Sequence, residues 1–142
     1  MKIKVNYDSE NKLLRIPVIL KAPHKRLVSE VIFDTGSPYT FLNYSDSLRL
    51  CIPHDNKSKI IRIGGRTYQS YLYEKFEIMF KSENNQSIVE ILPVRILKPN
   101  SLKMEELKKL DRFPNILGID FLELGWKFFC DVNNDNIYFE KD

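Results

Sequence analysis

Apolar and polar residues alternate over residues 66–80, with Tyr71, Tyr73, Phe76, Ile78 and Phe80 holding apolar positions. A period of two puts successive side chains on opposite faces of a strand, whereas a helix repeats about every 3.6 residues. The alternation therefore demands an extended arm. A shorter alternating run at 59–63 precedes it, and Gly64-Gly65 separates the two. The pair predicts a long β-hairpin with a glycine bend.

The rest of the chain reads the same way. Ile3, Val5 and Tyr7 alternate ahead of a polar turn at 8–12, and a strand-like run resumes at 13–20, predicting an N-terminal hairpin. Pro17 assigns that second run to a sheet edge or a bulge, because proline cannot donate to a ladder. A turn around Pro23 leads into a short apolar strand at 28–33. Further strands are expected at 88–97 and 116–118, and a closing hairpin at 126–139 turns through Asn133-Asn134-Asp135-Asn136.

Helical signals are brief. Ser45 is placed to cap a short turn through Leu50. Pro99-Asn100-Ser101 offers a helix start, with Glu105 and Glu106 early and Lys108, Lys109 and Arg112 late, which suits the helix dipole. Asp120 begins a brief helical turn at 120–124, a position where capping is commoner than chemistry.

At 142 residues and 43% hydrophobic composition, residues 1–142 form one domain, with no repeat at solenoid spacing. The formal charge of +3 comes from 22 basic and 19 acidic residues that are interspersed, so no nucleic-acid partner is implied. No apolar run approaches the roughly 20 residues that cross a bilayer, and the N-terminus lacks the apolar core of a signal peptide. The expectation is a cytoplasmic protein with no membrane partner. Cys51 and Cys130 lie far apart with no metal-ligand spacing, so reduced thiols and no metal site are expected, either cysteine fitting inertly in the core. His24 and His54 fall in polar loops away from any nucleophilic pattern and read as surface histidines.

The residues that carry chemistry begin at Val31-Ile32-Phe33-Asp34-Thr35-Gly36-Ser37. A carboxylate here closes an apolar strand, and an unpaired buried carboxylate would be costly. Backbone N–H groups, hydroxyls or a shared proton must satisfy it, and Thr35, Gly36 and Ser37 offer the first two. Downstream, Ile116-Leu117-Gly118 repeats an apolar-apolar-glycine pattern.

These two motifs, in this order, resemble those of the aspartic proteases, and the single copy resembles the retroviral, one-domain members. The resemblance implies a mainly β, closed, barrel-like fold with one or two short helices, working as a two-fold homodimer. It implies that Asp34 is the catalytic carboxylate, paired with its symmetry mate. Thr35 would brace the two loops across the dimer, Gly36 would supply a backbone donor, and Ser37 would steady the outer carboxylate oxygen. Ile116 and Leu117 would thread the loop and Gly118 would pack under it. Ile63-Gly64-Gly65-Arg66 lies where the family has its flap over bound peptide, although the tip could instead fall at residues 68–71. The segment at 101–111 departs from viral members, which have a short connection there.

The implied activity is peptide-bond hydrolysis without cofactor or metal. Two carboxylates a few ångströms apart cannot both ionise, so one acts as general base on a water while the other donates to the scissile carbonyl. Asp131 reads instead as the start of the final turn. The opening strand Ile3-Lys4-Val5 and closing strand Ile137-Tyr138-Phe139 are expected to leave edges free for pairing between subunits. A peptide-binding module that keeps the cleft without turnover is the alternative.

Overall fold

A computed structural model describes residues 1–55, 57–63 and 65–142; Gly64, an expected hairpin-tip residue, lies outside the described residues. In chain order the elements are β1 (Lys2–Lys4), β2 (Asn6–Asp8), β3 (Leu13–Ala22), β4 (Lys25–Phe33), β5 (Phe41–Leu42), α1 (Tyr44–Arg49), β6 (Lys57–Ile63) and β7 (Arg66–Lys81). There follow β8 (Ser87–Leu97), α2 (Met104–Asp111), β9 (Ile116–Leu117), a 3-10 helix (Ile119–Leu124), β10 (Lys127–Asp131) and β11 (Asn136–Glu140).

Eight strands form one sheet in the order β2-β3-β4-β9-β5-β8-β7-β6. The pairs Ile19↔Met79, Leu20↔Ile78 and Lys21↔Glu77 also join β3 to β7, so the sheet closes on itself. The architecture is mainly β and barrel-like. The long arm is β7, paired along its length with β8, and a register shift between Tyr73 and Phe76 breaks its alternation. Such a bulge changes which residues face inward. Tyr73 is accordingly half-buried while Phe76, Ile78 and Phe80 are fully buried.

Pro17 sits where the sheet leaves room for it. On the side of β3 away from β4, β2 covers residues 13–15 and β7 covers residues 19–21, leaving Pro17 in the gap between them.

The expectations for β1, α1 and α2 are corrected. The alternation at Ile3, Val5 and Tyr7 is not one strand: β1 pairs with β11 and β2 with β3, because the chain crosses from one sheet to the other at the fully buried Val5. The cap of α1 is Asn43, whose side chain accepts from the Asp46 N–H, while the Ser45 hydroxyl bonds Asp111. Helix α2 starts later than expected, after Lys103, with no side-chain cap.

A smaller sheet runs β1-β11-β10. β11 is central in it, with Lys2↔Glu140 to Lys4↔Tyr138 on one side and Lys127↔Glu140 to Asp131↔Asn136 on the other. Both edges of the closing strand are thus occupied within one chain, so the expectation of a free edge at 137–139 fails. The sheet packs on the barrel through aromatic rings: Phe33 lies 4.7 Å from Phe128 and 4.8 Å from Phe139, and Phe121 lies 5.1 Å from Phe139 and 5.6 Å from Trp126. Edge-on, tilted and stacked contacts of this kind add to what apolar burial already contributes.

Both cysteines are exposed thiols rather than core residues. His54 is not a simple surface residue: it is half-buried, stacked 4.7 Å from Tyr71, with Nε2 2.9 Å from Ser47 Oγ. Burial lowers its pKa from the ordinary value, against the pull of Asp55. Among the described residues no helix is long and apolar enough to cross a membrane.

Candidate active site

Asp34 stands at the end of β4, and β9 runs parallel beside it with Ile32 opposite Ile116 and Phe33 opposite Leu117. The ladder continues past the strand: the Asp34 N–H donates to the Leu117 carbonyl at 3.1 Å. The carboxylate itself is exposed, and the Gly36 N–H donates to its Oδ1 at 2.8 Å. Among the described residues no other group is hydrogen-bonded to it.

Behind the carboxylate the loop is tied down. The Ser37 N–H donates to the Asp34 carbonyl at 3.1 Å, and the Ile119 N–H donates to the Ser37 carbonyl at 2.8 Å. Gly118 lies so close beneath that a Cβ would sit 2.3 Å from the Tyr39 carbonyl oxygen. No side chain fits there. The Gly118 N–H donates to Thr40 Oγ1 at 3.1 Å, and Thr40 gives its hydroxyl and N–H to Asp120 at 2.8 and 3.1 Å. Asp120 therefore clamps the Asp34 loop to the 3-10 helix rather than capping that helix, whose first-turn cap is Gly118.

The Ser37 hydroxyl, expected at the outer carboxylate oxygen, instead donates to the Tyr39 carbonyl at 2.7 Å. Thr35 is exposed beside Asp34, on the side of the loop that faces solvent. Asp131 holds the final turn, accepting from Asn134 Nδ2 at 2.7 Å.

A cleft of about 490 Å³ opens beside Asp34. Its walls are the loop at Pro38 and Tyr39, the β6 residues Ile61 and Ile63, and Leu110 and Phe113 from α2 and its exit. That volume lies within the range of small-ligand and peptide side-chain sites, and its lining is apolar. The β6–β7 hairpin overhangs it, with Ile63 paired to Arg66 across the turn. Ile63 and Arg66 are therefore the last paired residues before the turn, while 68–71 lie within β7. Gly65 takes φ +77°, a left-handed conformation that glycine adopts without strain.

Helix α2 holds the hairpin from below. Arg66 bonds Glu106 at 2.7 Å, and Tyr68 meets Phe113 edge-on at 6.4 Å. The Arg66 hydrogen bond keeps the Glu106 carboxyl below the usual carboxylate range. On the other side of the cleft, Lys59 of β6 reaches the Tyr39 hydroxyl at 3.3 Å, and the Arg95 guanidinium lies 3.8 Å from the Tyr39 ring centre.

No family model and no curated protein matches the sequence. Solved structures do match. The EIAV protease complexed with the inhibitor HBY-793 superposes with a TM-score of 0.54 at 19% identity, over 88% of this chain and 99% of that one. A retropepsin-like aspartic protease from Rickettsia conorii gives a TM-score of 0.55 at 13% identity, over 98% and 87%. The fold is retropepsin-like.

Within this retropepsin-like frame, sequence reasoning passed over several residues of the site. Asn115 accepts from the Asn43 N–H at 2.7 Å and donates to Asp46 at 2.9 Å and Ser29 at 3.2 Å, joining β9, α1 and β4 behind the loop. Its signal was its place directly before Ile116. Thr40 and Asp120 lie 80 residues apart, and nothing local marks them as partners. Leu110 and Phe113 looked like ordinary apolar positions of a helix and its exit. Chemically, the arrangement presents one carboxylate, fixed at its base and open above, to an apolar cleft roofed by a hairpin.

Proposed function

We propose that the chain is an aspartic endopeptidase that acts as a homodimer, with residues 1–142 working as one domain and Asp34 of each subunit forming the catalytic pair. The observation that carries this reading is the exposed Asp34 carboxylate, anchored through its own backbone and the Gly36 N–H while its outer side is left open. A partner loop approaching that open side brings a second carboxylate within reach. The two then share one proton, since like charges a few ångströms apart cannot both ionise. One takes a proton from water as the water attacks the scissile carbonyl; the other donates to the carbonyl oxygen. Thr35, exposed next to Asp34, is positioned to brace the paired loops, and peptide side chains fill the apolar cleft under the 63–66 hairpin tip.

Asp34→Asn retains the shape and removes the titrating group, so turnover of a mixed peptide library should fall by at least about a hundredfold. Normal hydrolysis by the folded variant would end the assignment. A second reading, a peptide-binding module without turnover, draws support from the intrachain pairing of both edges of β11. Mixing decides between them. Excess Asp34→Asn added to wild type should poison activity through heterodimers with one carboxylate, whereas a binding module shows no Asp34-dependent hydrolysis to poison.

A further inference from the structure

The apolar lining of the cleft suits uncharged side chains of a peptide, but one margin of it is built differently. Ile61 and Ile63 of β6 line the cleft, and Lys59 precedes them on the same strand. A register shift interrupts β6 between Lys57 and Ile60, so contact rather than alternation settles where Lys59 points. Its ammonium lies 3.3 Å from the hydroxyl of Tyr39, which lines the same cleft. At about 3.3 Å of rise per residue, Lys59 stands roughly 13 Å from Ile63 along the strand. A peptide extended beneath the hairpin therefore meets it a few residues away from the side chain held under Ile61 and Ile63.

The charge of Lys59 is not compensated. The side chain is exposed, and among the described residues its ammonium bonds an uncharged phenol and no carboxylate. The half-buried Tyr39 ring also carries the Arg95 guanidinium 3.8 Å from its centre, with the Lys59 ammonium at 5.7 Å. Each cation is attracted to the negative face of the ring, but two like charges gathered on one ring repel each other. Arg95 has acidic company: a smaller hollow that shares Pro38 and Tyr39 is lined by Arg95, Asp120 and Glu123. The charge left to be met is that of Lys59.

Tyr39 adds a second donor. Its hydroxyl oxygen accepts from Lys59, while the phenolic proton has no acceptor among the described residues. An O–H and an ammonium one hydrogen-bond length apart can converge on the two oxygens of one carboxylate, and hydrogen bonds to an ionised acceptor are roughly twice as strong as neutral ones. A glutamate or aspartate side chain satisfies both donors. Glutamine brings a single uncharged acceptor oxygen, and lysine is repelled.

Resting on the peptidase reading of Asp34, we propose that Lys59 and Tyr39 form an acid-selecting corner of the cleft. The substrate class is a peptide with an acidic side chain a few residues from the apolar one held beside Asp34.

Exchange of charge on both sides tests it. The starting peptide is the member of a mixed library that wild type cuts best or, failing hydrolysis, binds best; Glu, Gln or Lys then replaces each of its residues in turn. At one position Glu should be preferred over Gln by about two- to fivefold in kcat/KM at low salt, and the preference should shrink in concentrated NaCl. Lys59→Glu should turn the preference toward Lys, and Tyr39→Phe should weaken it with the Lys59 charge still in place. Lys25→Glu, at the end of β4 remote from Asp34, makes the same change in net charge and should leave the ratio unaltered. Each ratio is taken on one protein sample, so partial loss of folded protein in a variant does not change it.

If wild type hydrolyses the Glu, Gln and Lys peptides equally at every position, or if Lys25→Glu shifts the ratio as much as Lys59→Glu does, the corner is wrong and the peptidase stands. If no Asp34-dependent hydrolysis occurs, the peptidase reading fails, and fluorescence titration with labelled forms of the same peptides decides the corner separately. A Glu preference in affinity that Lys59→Glu removes keeps it for a binding cleft; absent or equal affinities end it.

Discussion

The Asp34 loop and the hairpin that overhangs it are both glycine-containing turns, but they are held differently. The loop is enclosed by β9, Thr40, Asp120 and Gly118, through short contacts that are buried or part-buried. The hairpin tip rests on α2 through the Arg66–Glu106 pair and a few apolar side chains, and Gly65 has no atom near the position of a Cβ. The loop is held by strand pairing with β9 and by the Thr40–Asp120 clamp, whereas the hairpin tip is tied to α2 by exposed or half-buried side chains. A rigid carboxylate under a movable roof is what a site that admits and releases a peptide needs.

The two turns differ most at their glycines. Gly118→Ala forces a Cβ against the Tyr39 backbone and should cost at least about 3 kcal/mol, read as a lowered urea midpoint. Gly65→Ala meets open space and should cost only about 1 kcal/mol for its left-handed φ. Equal losses would mean that the two turns are equally constrained.

A smaller effect belongs to Thr40. Thr40→Val leaves the Gly118 N–H and the Asp120 carboxylate without their partner, costing about 1–3 kcal/mol, while Thr40→Ser keeps the hydroxyl and most of the stability. If valine and serine behave alike in thermal unfolding, the clamp is not what holds the loop.

The smallest effect is local to the hairpin. Because the folded-state pKa of Glu106 lies below its unfolded value, the Arg66 tie is fully present above the ordinary glutamate range and is lost as pH falls through the lowered value. Amide protection at residues 61–68, corrected for intrinsic exchange, should drop between pH 6 and pH 3 in wild type. Glu106→Gln should show the weaker protection at both pH values. Protection that is the same in both proteins would free the hairpin from α2.

Much of the fold was legible where periodicity is long or turn chemistry is local. The β7–β8 arm and the closing hairpin follow from alternation and an asparagine-rich turn, and Asp34 and Gly118 directly follow the paired strands β4 and β9. What was illegible depends on partners distant in sequence. Val5 looks like the middle of one strand because its alternation is unbroken, yet the strand changes sheets there. Ser37 looked like a donor to the Asp34 carboxylate and Ser45 like an acceptor capping α1, but a hydroxyl rotates to whichever acceptor the fold supplies: the Tyr39 carbonyl for one and Asp111 for the other. Asn43 outcompetes Ser45 as the cap of α1 because its amide also reaches the carbonyls at the end of α2, notably that of Phe113 at 2.7 Å.

The pairing of β1 with β11 within one chain has a consequence for control. On the dimeric protease reading of Asp34, a subunit that closes its own terminal sheet needs no second copy in order to fold, so separation would yield an intact but idle half-enzyme rather than an unfolded chain. On the dimeric reading, hydrolysis then responds to the square of subunit concentration when chains are dilute. Tethering or crowding the subunits switches them on, and dispersal switches them off, with no chemical modification and no loss of protein.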